Sequence, residues 1–457
     1  MERPMLGFIK KDVELWKMMI TIALPIAFQN LLSSLTQMMD TIMLGELGDI
    51  PLTASSLANQ VFFIFSLFIF GISGGGAILT AQYWGKKELE PIKTIMMTIL
   101  RIVMVVGFFL MLLIYMIPEK IMAIYSSDPA VVSAGVDYLR IVAPIYLLFG
   151  TSCTLTSLFR SVEVVKLAVI ANAVTLVTNV SLNYILIFGK FGMPRLELQG
   201  AAYATLIARA LELTVVLIYV LFKEKKLNFV PKDIFKRNKL LSADLRKYCT
   251  PVVINELIWS LGISMQAALF GHMSTLAVSA NTIISVVQNL STLVIFGVAN
   301  AAAVIIGKTI GMGNMELAKQ RAKSIQMFAI VLGIIGAITV LLSRNVMVDF
   351  YNVEDATKVL AKQMLYISAV VVFFVSSAGI NIVGLLRGGG DAKYSLIIEA
   401  VSLWCFSVPL GYIAGLYFQL PVLVVYALFK SDEVVKVILC AIRLASDKWI
   451  NRVTREE

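Results

Sequence analysis

Leu24–Gly48, LPIAFQNLLSSLTQMMDTIMLGELG, decides how the rest of the chain is read. The run is apolar enough to cross a bilayer as a helix, yet it holds a carboxylate, Asp40. An acid at the centre of a spanning helix costs about 2.5–3.5 kcal/mol on insertion scales, so its presence points to function. Counting back from Asp40 by 4, 3 and 4 positions reaches Thr36, Ser33 and Gln29, which share one helical face. That stripe faces protein or water rather than lipid. Its bland alternative is an interhelical hydrogen-bond seam.

Composition sets the class. Of 457 residues, 59% are hydrophobic and 15% charged, and the mean hydropathy is +0.85, which marks an all-α integral membrane protein crossing the bilayer many times. Cys153, Cys249, Cys405 and Cys440 show no paired spacing and His272 is the single histidine, so neither a metal cluster nor a disulfide framework is indicated. The polar start MERPMLGFIKKDVELWK leads directly into a long span and does not read as a cleavable signal.

Hydropathy places twelve spans near 18–44, 54–80, 95–117, 134–157, 167–188, 200–222, 248–270, 277–305, 324–343, 362–385, 394–416 and 420–441. The last is the weakest, interrupted by Lys430, Asp432, Glu433 and Lys436. With the N-terminus inside, cytoplasmic segments hold 28 Lys and Arg against 6 outside, a bias that supports twelve spans with both termini in the cytoplasm; the expected location is the inner membrane of a prokaryote. The net charge of +10 is then a topology signal, not a nucleic-acid signal. Nine of the basic residues lie between Lys223 and Lys247, where contact with lipid headgroups is expected.

That basic loop joins two copies of one design. Pro25 pairs with Pro251, Gly45 with Gly271 and Gly85 with Gly311 at an offset of 226, and Arg160 pairs with Arg387 at 227. Each copy holds six spans, an even number, so the halves are parallel repeats about an axis along the membrane normal. The expected organisation is an N-lobe over 1–222, a linker over 223–247, a C-lobe over 248–441 and a tail over 442–457. Two such pseudo-symmetric six-helix lobes enclosing a cavity are a transporter's layout.

The repeat fails at its charges: Asp40 corresponds to Gln266, and Glu256 to Asn30. Coupling an ion in one half and attracting a substrate in the other would account for that asymmetry. Glu256 lies roughly 13 Å into the seventh span. Arg209 and Glu212, at i and i+3 on span six, read as a structural pair, and Glu399 is a lone acid without an assigned role. Span five carries a second polar face, Asn172, Thr175, Asn179 and Asn183, and span six offers Ala201 and Thr205 at i and i+4. Oxygen ligands beside a carboxylate suit a small hard cation, although Asn and Thr also pack helices together. Met39 and Met265 are flexible, polarizable side chains suited to a cavity for varied apolar ligands, against a reading as core filling. Gly74-Gly75-Gly76 permits either close helix contact or local unwinding.

The twin repeat, the opening LPIAFQNLLSSLTQMMDTIMLGELG, NYILIFG closing span five, GAAYATLIAR on span six and LLRGGGDAK after span ten resemble the multidrug and toxic compound extrusion (MATE) family over essentially the whole chain. The resemblance implies lobes forming a V-shaped cavity and export of organic cations or amphipathic drugs against proton or sodium entry. It implies ion coupling at Asp40, Asn179, Asn183, Ala201 and Thr205, with any sodium held by Asp40, Asn179, Asn183 and Thr205. Many members have Asp where this chain has Asn183, which removes a charge. A branch that uses an acid on helix seven matches at Glu256, but its acid on helix ten is replaced, at about that place, by Ser376.

Substrate contacts are expected from Gln29, Ser33, Thr36 and Met39 in the first half. Glu256, Met265 and Gln266 are expected from the second. No cofactor beyond the coupling proton or sodium ion is expected, nor any nucleic-acid partner; membrane lipids surround a monomer. The rival readings are a flippase for a lipid-linked saccharide, which usually has fourteen spans, and an integral-membrane enzyme, for which no His/Asp cluster, nucleophile elbow or Walker loop is present.

Overall fold

A computed structural model describes residues 13–349, 351 and 353–455. The polar start through residue 12 lies outside the described residues. Within them the chain is helical throughout, without a strand. The first half comprises α1 (Val13–Gly45), α2 (Asp49–Lys86), α3 (Leu89–Met116), α4 (Pro118–Tyr125), α5 (Pro129–Val142), α6 (Ile145–Ser161), α7 (Lys166–Phe188) and α8 (Glu197–Lys223). The second comprises α9 (Lys239–Met273), α10 (Thr275–Gly311), α11 (Met315–Asp349), α12 (Asp355–Leu386), α13 (Ala392–Tyr417), α14 (Val422–Phe429) and α15 (Asp432–Ala445).

Ten of these are long and apolar enough to cross a membrane, and an eleventh span is the pair α5 and α6, bent by 52°. The bend falls at Ala143-Pro144, where proline has no N–H to continue the helical ladder. The expected twelfth span is two short helices. The chain turns at Lys430-Ser431, and α15 carries Asp432, Lys436 and Cys440 on its buried face while Ile438 and Ile442 point outward. The charges that interrupt the hydropathy of 420–441 thus face inward and neutralise one another.

Local chemistry explains several boundaries. Asp128 accepts from the Ala130 amide at 2.9 Å and Pro129 opens α5, a sound N-terminal pairing. Ser274 caps α10 through the Ala277 amide at 3.1 Å. Helix α7 ends on Gly189 at φ 65°, a left-handed position that glycine adopts without steric cost. Pro25 and Pro251, equivalent in the repeat, both lie inside long helices, α1 and α9.

The chain divides into two compact units. One contains Phe28–Thr80 and Glu88–Cys249. Its α2 stays helical through Gly74-Gly75-Gly76, where Gly75 meets Cys249 and Gly76 meets Ile99 and Leu158. The glycines therefore serve close contact and not unwinding. The basic segment is folded onto this unit: Lys236 Nζ lies 2.8 Å from Asp233 and 2.6 Å from Glu90, and the Lys236 carbonyl accepts from Arg101 at 2.8 Å. Burial pushes the Asp233 carboxyl up, but hydrogen bonds from Lys236 and the Val230 amide outweigh it and leave it below its ordinary value.

The other unit contains the described residues up to Ala27, Ala81–Lys87 and everything from Thr250. Here the last turns of α2 and α10 cross so closely that a Cβ on Gly85 would strike the Lys308 carbonyl, and one on Gly311 the Gln82 carbonyl. These two glycines are equivalents in the repeat. The segment after α15 is seated on the same place: the Gln82 amide donates to Asn451 O at 3.0 Å and accepts from Val453 N at 2.9 Å. Trp449, 2% exposed, lies on Gly389, and Asn451 N donates to Gly389 O at 2.7 Å.

Candidate functional site

Asp40 sits near the C-terminal end of α1, facing α7 and α8. Its Oδ1 accepts a short hydrogen bond from Asn183 Nδ2. Asn183 also donates to Asn179 Oδ1 at 3.2 Å, Asn179 Nδ2 donates to Thr205 Oγ1 at 3.2 Å, and Thr205 donates to the Ala201 carbonyl at 2.9 Å. One hydrogen-bonded chain thus joins all five residues expected to couple an ion. The helical periods produce it: Asn179 and Asn183 are one turn apart on α7, and Ala201 and Thr205 one turn apart on α8. Gly200 allows the approach, since a Cβ there would overlap the Leu186 backbone.

The polar stripe along α1 continues the same face. Ser33 donates to Asn172 Oδ1 at 2.8 Å, and Thr36, 8% exposed, donates to its own helix at Leu32 O. Gln29 Oε1 lies 3.5 Å from Arg160 Nη2. Met39 is half-buried.

Two cavities meet at this face. A small polar one of about 60 Å³ is lined by Thr36, Asp40, Asn179, Thr205 and Arg209, among others. A larger one of about 540 Å³ adds Phe62, Tyr138 and Tyr146. Gln37, Asp40, Thr205 and Arg209 belong to both and form their shared wall. The volume of the larger is that of a drug-sized pocket, and its wall mixes aromatic and aliphatic side chains with amides, hydroxyls and the Asp40 and Arg209 charges.

Arg209 and Glu212 do pair as the spacing suggests, at 2.6 Å. Glu212 is closed off, 3% exposed, with Ser152 and Thr175 also donating to it at 2.8 and 3.0 Å. Arg209 stacks at 4.9 Å over Phe149 and faces both cavities. Spacing alone finds the pair but not the direction in which the guanidinium points. The aromatic wall was also missed, because its members come from three helices with no shared period.

The expected contacts of the second half lie in the other unit. Glu256 pairs with Arg387 at 2.9 Å. Gln266 Oε1 accepts from Lys430 at 3.3 Å, and the Met265 carbonyl accepts from Tyr412 at 3.0 Å. Glu399 finds its partner in Lys436 at 2.9 Å, which also meets Asp432 at 2.8 Å and Glu433 at 3.0 Å.

Comparison with known proteins agrees with this architecture. The family model MatE matches residues 25–185 and 251–413, one stretch in each half. A probable multidrug resistance protein NorM of Thermotoga maritima is 24% identical over 98% of this chain and 96% of its own length. The multidrug resistance protein NorM of Photobacterium profundum is 26% identical, with 88% of each chain covered. A crystal structure of a MATE protein in complex with MaL6 superposes with a TM-score of 0.86 at 17% identity, over 96% of this chain and 99% of that one. The eukaryotic MATE transporter AtDTX14 gives a TM-score of 0.83 at 20% identity, over 97% of both chains. With an all-helical multi-pass fold and the family match repeated in both halves, the chain belongs to the MatE family of multidrug efflux transporters.

Proposed function

We propose that the chain exports amphipathic organic cations across the cytoplasmic membrane, both termini inside, in exchange for protons carried by Asp40. The observation that carries this reading is the company Asp40 keeps. Its carboxylate is met by an N–H donor of Asn183 and shares a 60 Å³ cavity with the Arg209 guanidinium. Sodium would need several oxygens converging on one point, and like-charge repulsion from Arg209 opposes it. A proton needs only the carboxylate. Two protonation states of Asp40 differ in charge inside an enclosed polar cavity, so each favours a different arrangement of the residues around it, which is the differential binding that coupling demands.

Energetically the scheme is sufficient. Each pH unit across the membrane supplies about 1.4 kcal/mol per proton, enough for about tenfold accumulation at one-for-one exchange. Purified protein in liposomes acidified inside should accumulate a fluorescent organic cation uphill, and an imposed sodium gradient alone should not drive it. Asp40→Asn should let the cation equilibrate down its gradient, with weaker binding, and should not accumulate it. Accumulation by Asp40→Asn at the wild-type rate would remove Asp40 from coupling, and accumulation driven by sodium alone would replace the proton.

A further inference from the structure

Arg209 is a cation on the wall of the cavity that holds Asp40. Its environment separates it from an ordinary structural partner of Glu212. Glu212 is satisfied three times over, by Ser152, Thr175 and Arg209. Arg209 is not: of five guanidinium N–H donors, one bond, from Nη1 to Glu212, is made among the described residues. Its side chain is 19% exposed and lies on the wall common to both cavities, with Asp40 on that same wall. Stacking on Phe149 at 4.9 Å fixes the plane of the guanidinium without using a donor.

A carboxylate and a guanidinium with free donors therefore flank one small polar space that opens into a larger aromatic one. We propose that this cavity selects zwitterions: an amphiphile whose ammonium is taken by Asp40, whose carboxylate is taken by Arg209, and whose aromatic body fills the 540 Å³ space. The two charges of such a ligand lie close together, as in an α-amino acid headgroup, because the cavity they enter is only about 60 Å³. Arg209 is the specificity residue. Guanidinium and carboxylate make paired, directional hydrogen bonds, so an organic cation that also carries a carboxylate binds more tightly than one that leaves those donors unanswered. The proposal rests on the export reading above and deepens it by naming the substrate class.

The test uses Nε-dansyl-lysine, a zwitterion with an aromatic body, and its methyl ester, which keeps the ammonium and loses the carboxylate. Binding to purified wild-type protein is followed by dansyl fluorescence. The acid should bind about tenfold more tightly than the ester, as expected for one charge-assisted contact. Equal binding, or preference for the ester, overturns the proposal with no variant involved. The double variant R209Q/E212Q removes both charges together, so that no buried charge is left uncompensated, and should abolish or reverse the preference. R209K keeps the charge without the planar fork and should retain part of it. If the preference survives in R209Q/E212Q, the carboxylate is recognised elsewhere and Arg209 is only the counter-ion of Glu212. Uphill accumulation of either probe under a proton gradient is scored separately: a protein that accumulates the ester without preferring the acid remains an exporter and refutes the zwitterion site alone.

Discussion

Arg387 and Glu256 form an ion pair of 2.9 Å within the second unit, with side chains 10% and 20% exposed. In the first half, the equivalent arginine, Arg160, approaches Gln29, one residue before the position equivalent to Glu256. The repeat thus keeps an arginine against the opening helix of each half, and in the second half an acid, Glu256, answers it. Helix α12 widens to i→i+5 hydrogen bonding just before Arg387, a local irregularity that recurs at functional sites in helical proteins.

Breaking that pair on one side should destabilise the protein. Glu256→Gln leaves a largely buried guanidinium without its counter-ion, a loss of about 1–3 kcal/mol after allowance for the partial exposure. The expected result is a lower melting temperature in detergent, restored in large part by Glu256→Gln with Arg387→Gln. Unchanged stability together with selective loss of cation export would make Glu256 a substrate contact instead.

Asn183→Asp should raise the affinity for sodium above that of the wild type. Two carboxylates would then face each other across the present Asn183–Asp40 bond, and like charges at that separation demand a cation or a proton between them. Sodium added to the purified variant should raise its melting temperature in a concentration-dependent way. The absence of any sodium effect would mean that a proton satisfies the pair.

Topology is open to a direct test in whole cells. Lys232 is exposed within the folded basic segment. A single cysteine there, in a cysteine-free background, should resist membrane-impermeant thiol reagents applied from outside. External labelling would invert the orientation of every span.

The Asp233–Lys236–Glu90 cluster predicts an acid-sensitive loop. The folded state holds Asp233 below its ordinary value, so its contribution is complete above about pH 3.9 and is lost as pH falls further, through the folded-state value. Hydrogen exchange over 231–237 should rise in that window, and Asp233→Asn should show the faster exchange already at neutral pH. A profile flat down to pH 3 in the wild type, at about the limit of the method, would mean the carboxylate does not hold the loop.

Much of the Asp40 region was legible because helical spacing places residues on faces, and facing stripes on α1, α7 and α8 meet in the order their spacing implies. The pairing of Arg209 with Glu212 followed from the same rule. What spacing cannot give is rotation about a helix axis relative to a third element, and the exposure of Arg209 to two cavities depends on that. The partners of Glu256 and Glu399 were illegible for a related reason: each comes from a helix distant in sequence, so no local pattern announces it. The charges that weaken the hydropathy of 420–441 mark the place where the chain turns into two short helices, but their partners are not legible there: Lys436 meets Asp432, Glu433 and the distant Glu399.

The seat of the C-terminal segment on Gln82 bears on how the protein can be handled. Gln82 is fully buried, and both ends of its amide are satisfied by the backbone of Asn451 and Val453. A purification tag or reporter joined ahead of Trp449 would strip those bonds, stranding a donor and an acceptor at about 1–3 kcal/mol each, and would empty the indole's place beside Gly389. The same tag joined after Arg455 would leave them intact. Two fusions differing by a handful of residues should therefore differ sharply in yield and monodispersity, for a reason that lies far from any ligand.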